Sequence, residues 1–204
     1  MKMFIDLRVH SINSKGVDSP SRLKKEARDL GIEVALCDGI KYDDFISGIE
    51  ISARNKRELR REIISSKKFD IIVVHGGRAE INRSAVSDSR VDILAHPWLG
   101  RRDSGVDAVV AREAADNGVA IELCLSYLLI QHQRLKILSS LRRIKKLKDK
   151  YNFDILVTSG AKSKYDMRNK YEIASILYLL GLEEEDIKES INLPEKLIRE
   201  KGIK

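Results

Sequence analysis

The chain has 204 residues, 38 basic against 31 acidic side chains for a net charge of +7, 43 % apolar residues and only 5 % aromatics. That length suits one domain, spanning 1–204, with a core of Ile, Leu, Val and Ala; the charge favours an anionic partner. Charged residues in the first apolar segment (Lys2, Asp6, Arg8) argue against a signal peptide, and no apolar run reaches the ~20 residues that span a bilayer, so the expected setting is cytoplasmic. Cys37 and Cys124 lie in apolar runs without metal spacing and read as buried free thiols.

In chain order, Met3–Val9 reads as a strand. Ser19 caps a helix with Pro20 at its first position and Gly31 at its end. Strands follow at Ile32–Cys37 and Ile49–Ala53, then a helix over Asn55–Lys68. Asp70–Val74 is a strand, Glu80–Ser87 a short helix and Asp92–Ala95 a strand. Val106–Asn117 is a helix ended by Gly118, and Val119–Leu123 a strand. Gln131–Lys150 is a long helix with apolar residues at Leu135, Leu138, Leu141, Ile144 and Leu147. Asp154–Thr158 is a strand and Arg168–Leu180 a helix. The acids Glu183–Asp186 favour another helix start, and Pro194 starts or kinks a last helical piece. About seven βα units with short connections predict an α/β TIM-like (β/α) barrel of parallel strands and outer helices, either complete or incomplete and distorted; an open doubly wound sheet is the other architecture of this pattern. The Gly-x-Gly-x-x-Gly fingerprint of dinucleotide sites is absent.

Four predicted strand ends carry polar residues: Phe4-Ile-Asp-Leu-Arg-Val-His10, Val73-Val-His-Gly-Gly77, Asp92-Ile-Leu-Ala-His-Pro97 and Leu156-Val-Thr-Ser-Gly-Ala-Lys162. Sites in parallel α/β folds gather at these ends. His10, His75, His96 and Glu122 could together hold Zn²⁺ or Mn²⁺ and activate water on a phosphate ester. Equally, each His could hydrogen-bond within its loop and Glu122 pair with an Arg. The loops after the strands are basic: Arg78 and Arg83, Arg101 and Arg102, then Lys162, Lys164 and Arg168. Glycines, backbone N–H groups and arginines together suit phosphate contacts. Two predicted helices are also basic, with eight cations against one acid over 134–150 and seven against two over 54–68, which is also what solvated outer helices carry.

Asp6-Leu-Arg-Val-His10 resembles the opening Asp-Leu-His-x-His motif of the polymerase-and-histidinol-phosphatase (PHP) phosphoesterases. Asp92-Ile-Leu-Ala-His-Pro97 resembles their later His-Pro strand, and Ser159-Gly-Ala-Lys162 stands where they carry Ser-Asp-Ala-His. Three ligand positions thus hold Arg8, Gly160 and Lys162, and a cation there opposes a metal by direct repulsion. These departures, with Gly76-Gly77, Asn82-Arg83, Asp103-Ser-Gly105, Val119-Ala-Ile-Glu-Leu123 and Tyr165-Asp-Met-Arg168, resemble the archaeal ribonuclease P protein component 3 family, relatives of the eukaryotic thirty-kilodalton subunits.

The resemblance implies a barrel-like fold and a subunit of the ribonucleoprotein that removes the 5′ leader of precursor tRNA. The RNA would carry the catalytic site and require Mg²⁺, and this chain would bind no cofactor or metal of its own. Its expected partners are ribonuclease P RNA, protein component 2 and, indirectly, precursor tRNA. Arg78, Arg83, Arg101, Arg102, Lys162, Lys164 and Arg168 are the expected RNA contacts. Arg8, His10, His75, His96, Glu122 and Lys162 are expected as vestiges of a metal site, with no catalytic residue. The competing readings are an active metal phosphoesterase using His10, His75, His96 and Glu122, and a non-RNA interaction module built on the acidic residues after Gly181.

Overall fold

The computed structural model describes residues 3–203, the side chains of 131–133 excepted. It contains seven parallel strands in one sheet, ordered as in the sequence. They are β1 (Phe4–Val9), β2 (Ile32–Leu36), β3 (Ile46–Ile51), β4 (Ile71–His75), β5 (Ile93–Ala95), β6 (Ala120–Cys124) and β7 (Ile155–Thr158). The outer helices are α1 (Pro20–Leu30), α2 (Lys56–Ser65), α3 (Ala79–Val86), α4 (Ala108–Asn117), the short α5 (Ser126–Leu129), α6 (Gln131–Tyr151), α7 (Lys170–Leu179) and α8 (Glu184–Glu200).

Side chains alternate across each strand and sort into two cores. Ile5, Leu7, Ala35, Ile71, Val73, Ile93, Ala95, Ala120 and Leu156 fill the barrel. Phe4, Val34, Ile72, Val74, Leu94, Ile121, Leu123, Ile155 and Val157 pack outward under the helices. Local chemistry fixes the helix ends. The Ser19 hydroxyl accepts from Arg22 N–H at 3.3 Å, and Gly31 closes α1 at φ +66°. Asp107 accepts from the N–H groups of Val109 and Val110 to start α4.

Among the described residues the ladders run from β1–β2 to β6–β7, and none joins β7 to β1. The seam is closed otherwise. At the top, His10 N–H donates to Ala161 O (2.9 Å), Val17 N–H to Lys162 O (2.7 Å) and Ser159 N–H to the Asp6 carboxylate (3.2 Å). At the bottom α8 packs on both β1 and β7, and its Leu193 and Leu197 enter the inner core. Lys201, just past α8, binds Asp92 at 2.6 Å.

Several expectations shift. The β2–β3 connection carries no helix, as the two successive strands read from the sequence imply, so the βα repeat is broken there. The strand read at Ile49–Ala53 runs Ile46–Ile51, because Ile46 and Ser47 pair with Ala35 and Leu36 before the chain reaches β4. The buried face of α6 is Ile137, Leu141, Ile144 and Lys148, whereas Leu135 is 81 % exposed. Lys148 is buried there because Glu189 of α8 receives its ammonium at 2.7 Å, so a charge joins Leu147 at the end of that face. α8 continues through Pro194 as one helix; the lost backbone bond costs a few kcal/mol, opposed by the burial of Leu193 and Leu197. The residues before α7 form a 3₁₀ turn, Lys164–Asp166, where Ser163 and Asp166 make a capping box.

Candidate functional site

The register of β1 against β2 slips between Asp6 and Val9. Ile5 and Leu7 face the barrel while Phe4 and Val9 face the helices, so the irregularity turns Arg8 and then His10 inward. Arg8 becomes the centre of the barrel mouth. Its Nη1 donates to Glu122 Oε1 at 3.0 Å and its Nη2 to Glu50 Oε2 at 3.4 Å. Glu122 stands on β6, one inward position above Ala120, and is 1 % exposed. It also accepts from Thr158 Oγ1 at 2.5 Å and from the His96 backbone N–H at 3.1 Å.

Glu50 is the second hub. His10 Nε2 lies 2.9 Å from its Oε2, and His75 Nδ1 and Lys15 Nζ each lie 3.0 Å from its Oε1. Burial alone would raise its pKa; contacts with His10, His75, Arg8 and Lys15 instead hold it far below the usual carboxylate range. His96 adopts φ +35°, rare for a residue with a Cβ, and its Nε2 stands 3.0 Å from His75 Nδ1. The assignment that satisfies these contacts has His75 Nδ1–H facing Glu50 and His96 Nε2 as an acceptor. Burial, with Arg8 and His75 nearby, holds the His96 pKa well below its ordinary value, so this imidazole is neutral. Burial raises the Asp6 carboxyl at the seam to about 6.

Glu50, His75 and His96 place ligand atoms within 4.8 Å of one another, a spacing a divalent cation could bridge. The donor set nevertheless fits a metal poorly. Arg8 and Lys15 already contact Glu50, and two permanent positive charges at this range repel a further dication. His75 Nδ1 points its proton at the same carboxylate. Gly160 belongs to this arrangement. With φ +62°, it would place a Cβ 2.3 Å from Cys124 Sγ, 2.9 Å from Ser126 Oγ and 3.2 Å from Arg8 Nη1. A side chain at 160 and the guanidinium of Arg8 therefore compete for one space.

The structure brings Arg8, His10, His75, His96 and Glu122 together, as their strand ends suggested. It leaves Lys162 outside: that side chain is exposed and makes no ion pair among the described residues, while its carbonyl ties the seam. Lys15 supplies the second cation instead. Glu50 was missed although Ile49-Glu50-Ile51 is a carboxylate enclosed by apolar neighbours, a signal that could have found it. Lys15 carried no such signal, because only the fold of the β1 loop brings it over the mouth.

The basic rim surrounds this centre. Arg78, Arg102 and Lys162 are exposed, and none has an acidic partner among the described residues. Arg78 and Arg168 donate to backbone carbonyls, which leaves their charge uncompensated. Arg83 is paired with Asp107 at 2.9 Å, Arg101 with Asp103 at 2.6 Å and Lys164 more loosely with Glu26 at 3.8 Å. Arg143 of α6 joins Arg83 and Arg101 around a cavity of about 70 Å³, extending the basic surface from the rim onto that helix. A larger cavity of about 590 Å³ lies at the opposite end, between α1, the start of β2 and Ile198, away from the polar cluster.

Comparison with known proteins places this geometry. The chain is 34 % identical to ribonuclease P protein component 3 of Methanothermobacter thermautotrophicus, over 94 % of this chain and 88 % of that one. It is 33 % identical to the component 3 of Methanosarcina barkeri, over 96 % and 88 % respectively. Its structure resembles a chain in the cryo-EM structure of archaeal ribonuclease P with mature tRNA, with a TM-score of 0.81, 27 % identity and coverage of 96 % of this chain and 90 % of that one. A histidinol phosphate phosphatase from Lactococcus lactis, solved with zinc, L-histidinol and phosphate, shares the fold at a TM-score of 0.55 and 14 % identity, over 98 % and 94 % of the two chains. The profile of the family described as RNase P subunit p30 matches residues 3–204, and the chain belongs to that family of ribonuclease P protein subunits.

Proposed function

We propose that the chain grips RNA phosphates with its basic rim, as a subunit without chemistry of its own, in the enzyme that removes the 5′ leader of precursor tRNA. The observation that carries this reading is the Arg8 guanidinium, bonded to both Glu50 and Glu122 in the centre of the mouth. With Lys15 on Glu50, it leaves the mouth electrically balanced and turns the surplus charge outward. Arg78, Arg102, Lys162 and Arg168 are then the foremost phosphate contacts, because no acid offsets them. Arg83, Arg101 and Lys164 contribute less until RNA displaces Asp107, Asp103 and Glu26. In this reading the RNA carries the catalytic site and its Mg²⁺, this chain holds no cofactor, and protein component 2 binds beside it on the catalytic domain of the RNA.

The test is reconstitution. This chain, with and without component 2, is added to ribonuclease P RNA, and pre-tRNA cleavage is followed across Mg²⁺ concentrations. The expected result is a lower Mg²⁺ requirement when both proteins are present; unchanged cleavage at every Mg²⁺ level defeats the proposal. The spacing of Glu50, His75 and His96 keeps one second reading in play, a metal-dependent phosphoesterase. That reading requires the isolated protein to hydrolyse a simple phosphate ester in a chelator-sensitive way; the expected outcome is no hydrolysis.

A further inference from the structure

We infer that the Arg8 guanidinium is an internal counter-cation that stands where a divalent metal would, and that Glu50, His75 and His96 form a latent metal site for which this guanidinium is the fixed barrier. This rests on the metal-free reading of the mouth and not on RNA binding, and its test uses no RNA.

Three observations carry it. Arg8 bridges two carboxylates on different strands, Glu122 at 3.0 Å and Glu50 at 3.4 Å, as a bound dication would. Its planar fork can do so without a solvent shell. Next, two atoms beside it, His96 Nδ1 and Arg8 Nε, are buried without a well-formed hydrogen bond, while His10 Nε2 is held by Glu50 at 2.9 Å. The first is an imidazole nitrogen, a ligand type that a transition metal favours. Finally, the space is single. Gly160 has no Cβ because one would meet Cys124 and crowd Arg8, so the guanidinium takes volume that a side chain at 160 would otherwise occupy.

Removing the guanidinium should expose Glu50, His75 and His96, with His10 and Glu122 beside them, as an N/O donor set suited to Zn²⁺ or Co²⁺. Lys15 is 45 % exposed at its side chain and can swing away from Glu50 into solvent, whereas Arg8, at 5 %, cannot. The two cations therefore differ as barriers.

The experiment titrates Co²⁺ into the full-length wild type, Arg8→Met and Arg8→Met/His75→Ala/His96→Ala, reading d–d absorption and metal stoichiometry after desalting. Arg8→Met is expected to bind one equivalent about 100-fold more tightly than the wild type, with absorption typical of nitrogen ligation, and the triple variant to lose it. Tight stoichiometric binding by the wild type overturns the inference. So does a folded Arg8→Met that binds no better than the wild type, or a triple variant that binds as well as Arg8→Met. If Arg8→Met does not fold alone, it is refolded with Zn²⁺: recovery of the native circular dichroism supports the latent site, and failure to recover refutes it.

Discussion

Replacing Glu122 by Gln removes one negative charge from the barrel mouth without changing its volume. Glu122 is fully buried at its side chain and Arg8 is 5 % exposed, so solvent cannot take over the lost interaction. Breaking one partner of a buried ion pair costs about 3–5 kcal/mol. Arg8 keeps Glu50 at 3.4 Å, which puts the charge component near the low end. Geometry adds to it. Arg8 Nη1, Thr158 Oγ1 and the His96 N–H all donate to Glu122, so the new amide NH₂ must face a donor whichever way it turns. One lost hydrogen bond of about 1 kcal/mol brings the expectation to about 4 kcal/mol. For a chain of this size that lowers Tm by roughly 8–16 °C. Urea denaturation followed by circular dichroism measures it, with Arg8→Met and the double variant completing a cycle. The double variant should be more stable than the sum of the single losses predicts, since it no longer buries an uncompensated cation. A loss under about 1 kcal/mol for Glu122→Gln, or simple additivity in the cycle, would refute the ion-pair account.

Other outcomes follow from the same contacts. Asp6 binds its proton more tightly folded (about 6) than at its ordinary value of 3.8, so its ionisation costs stability as pH rises through that interval, on the order of 3 kcal/mol. Below the interval the penalty is absent, and above it constant. Asp6→Asn keeps an acceptor for Ser159 N–H, so its stability relative to wild type should grow from pH 4 to pH 7; parallel curves in pH-dependent denaturation count against the shift. Gly160→Ala places a methyl 2.3 Å from Cys124 Sγ at φ +62°, and should cost more than about 2 kcal/mol, with partial recovery in Cys124→Ala/Gly160→Ala. Full tolerance of the alanine in thermal melts would mean that the close packing at 160 is not real. On the rim, Arg102→Gln should lower the slope of log affinity for ribonuclease P RNA against log salt by up to about 1, and Arg83→Gln, already paired with Asp107, by less. Equal slopes for both would remove the distinction between paired and unpaired rim cations.

The parallel barrel was legible because strand and helix periods alternate and the caps at Ser19, Gly31 and Gly118 punctuate them. His10, His75, His96 and Glu122 could be assigned to one end because each closes or nearly closes an apolar run. What escaped depends on the third dimension. The inward turn of Arg8 comes from a register slip that no pattern of types encodes. Lys15 reaches Glu50 only through the fold of its loop, and Lys162, equally basic, falls outside. The face of α6 was read with Leu141 and Ile144 buried and Leu147 against the core, but Leu135 lies outside it, and an acid on a neighbouring helix decided that Lys148 goes in.

That no ladder joins β7 to β1 among the described residues has a temporal meaning. A ribosome releases all seven strands before α8, and it is α8 that wedges Leu193 and Leu197 into the bottom of the barrel across that seam. Without α8, the seven strands would leave the apolar inner face open at the bottom and β1 and β7 as free edges, features that favour aggregation. The barrel is thus sealed by a segment made after all its strands, which makes that segment a checkpoint on whether the basic rim is presented as one surface.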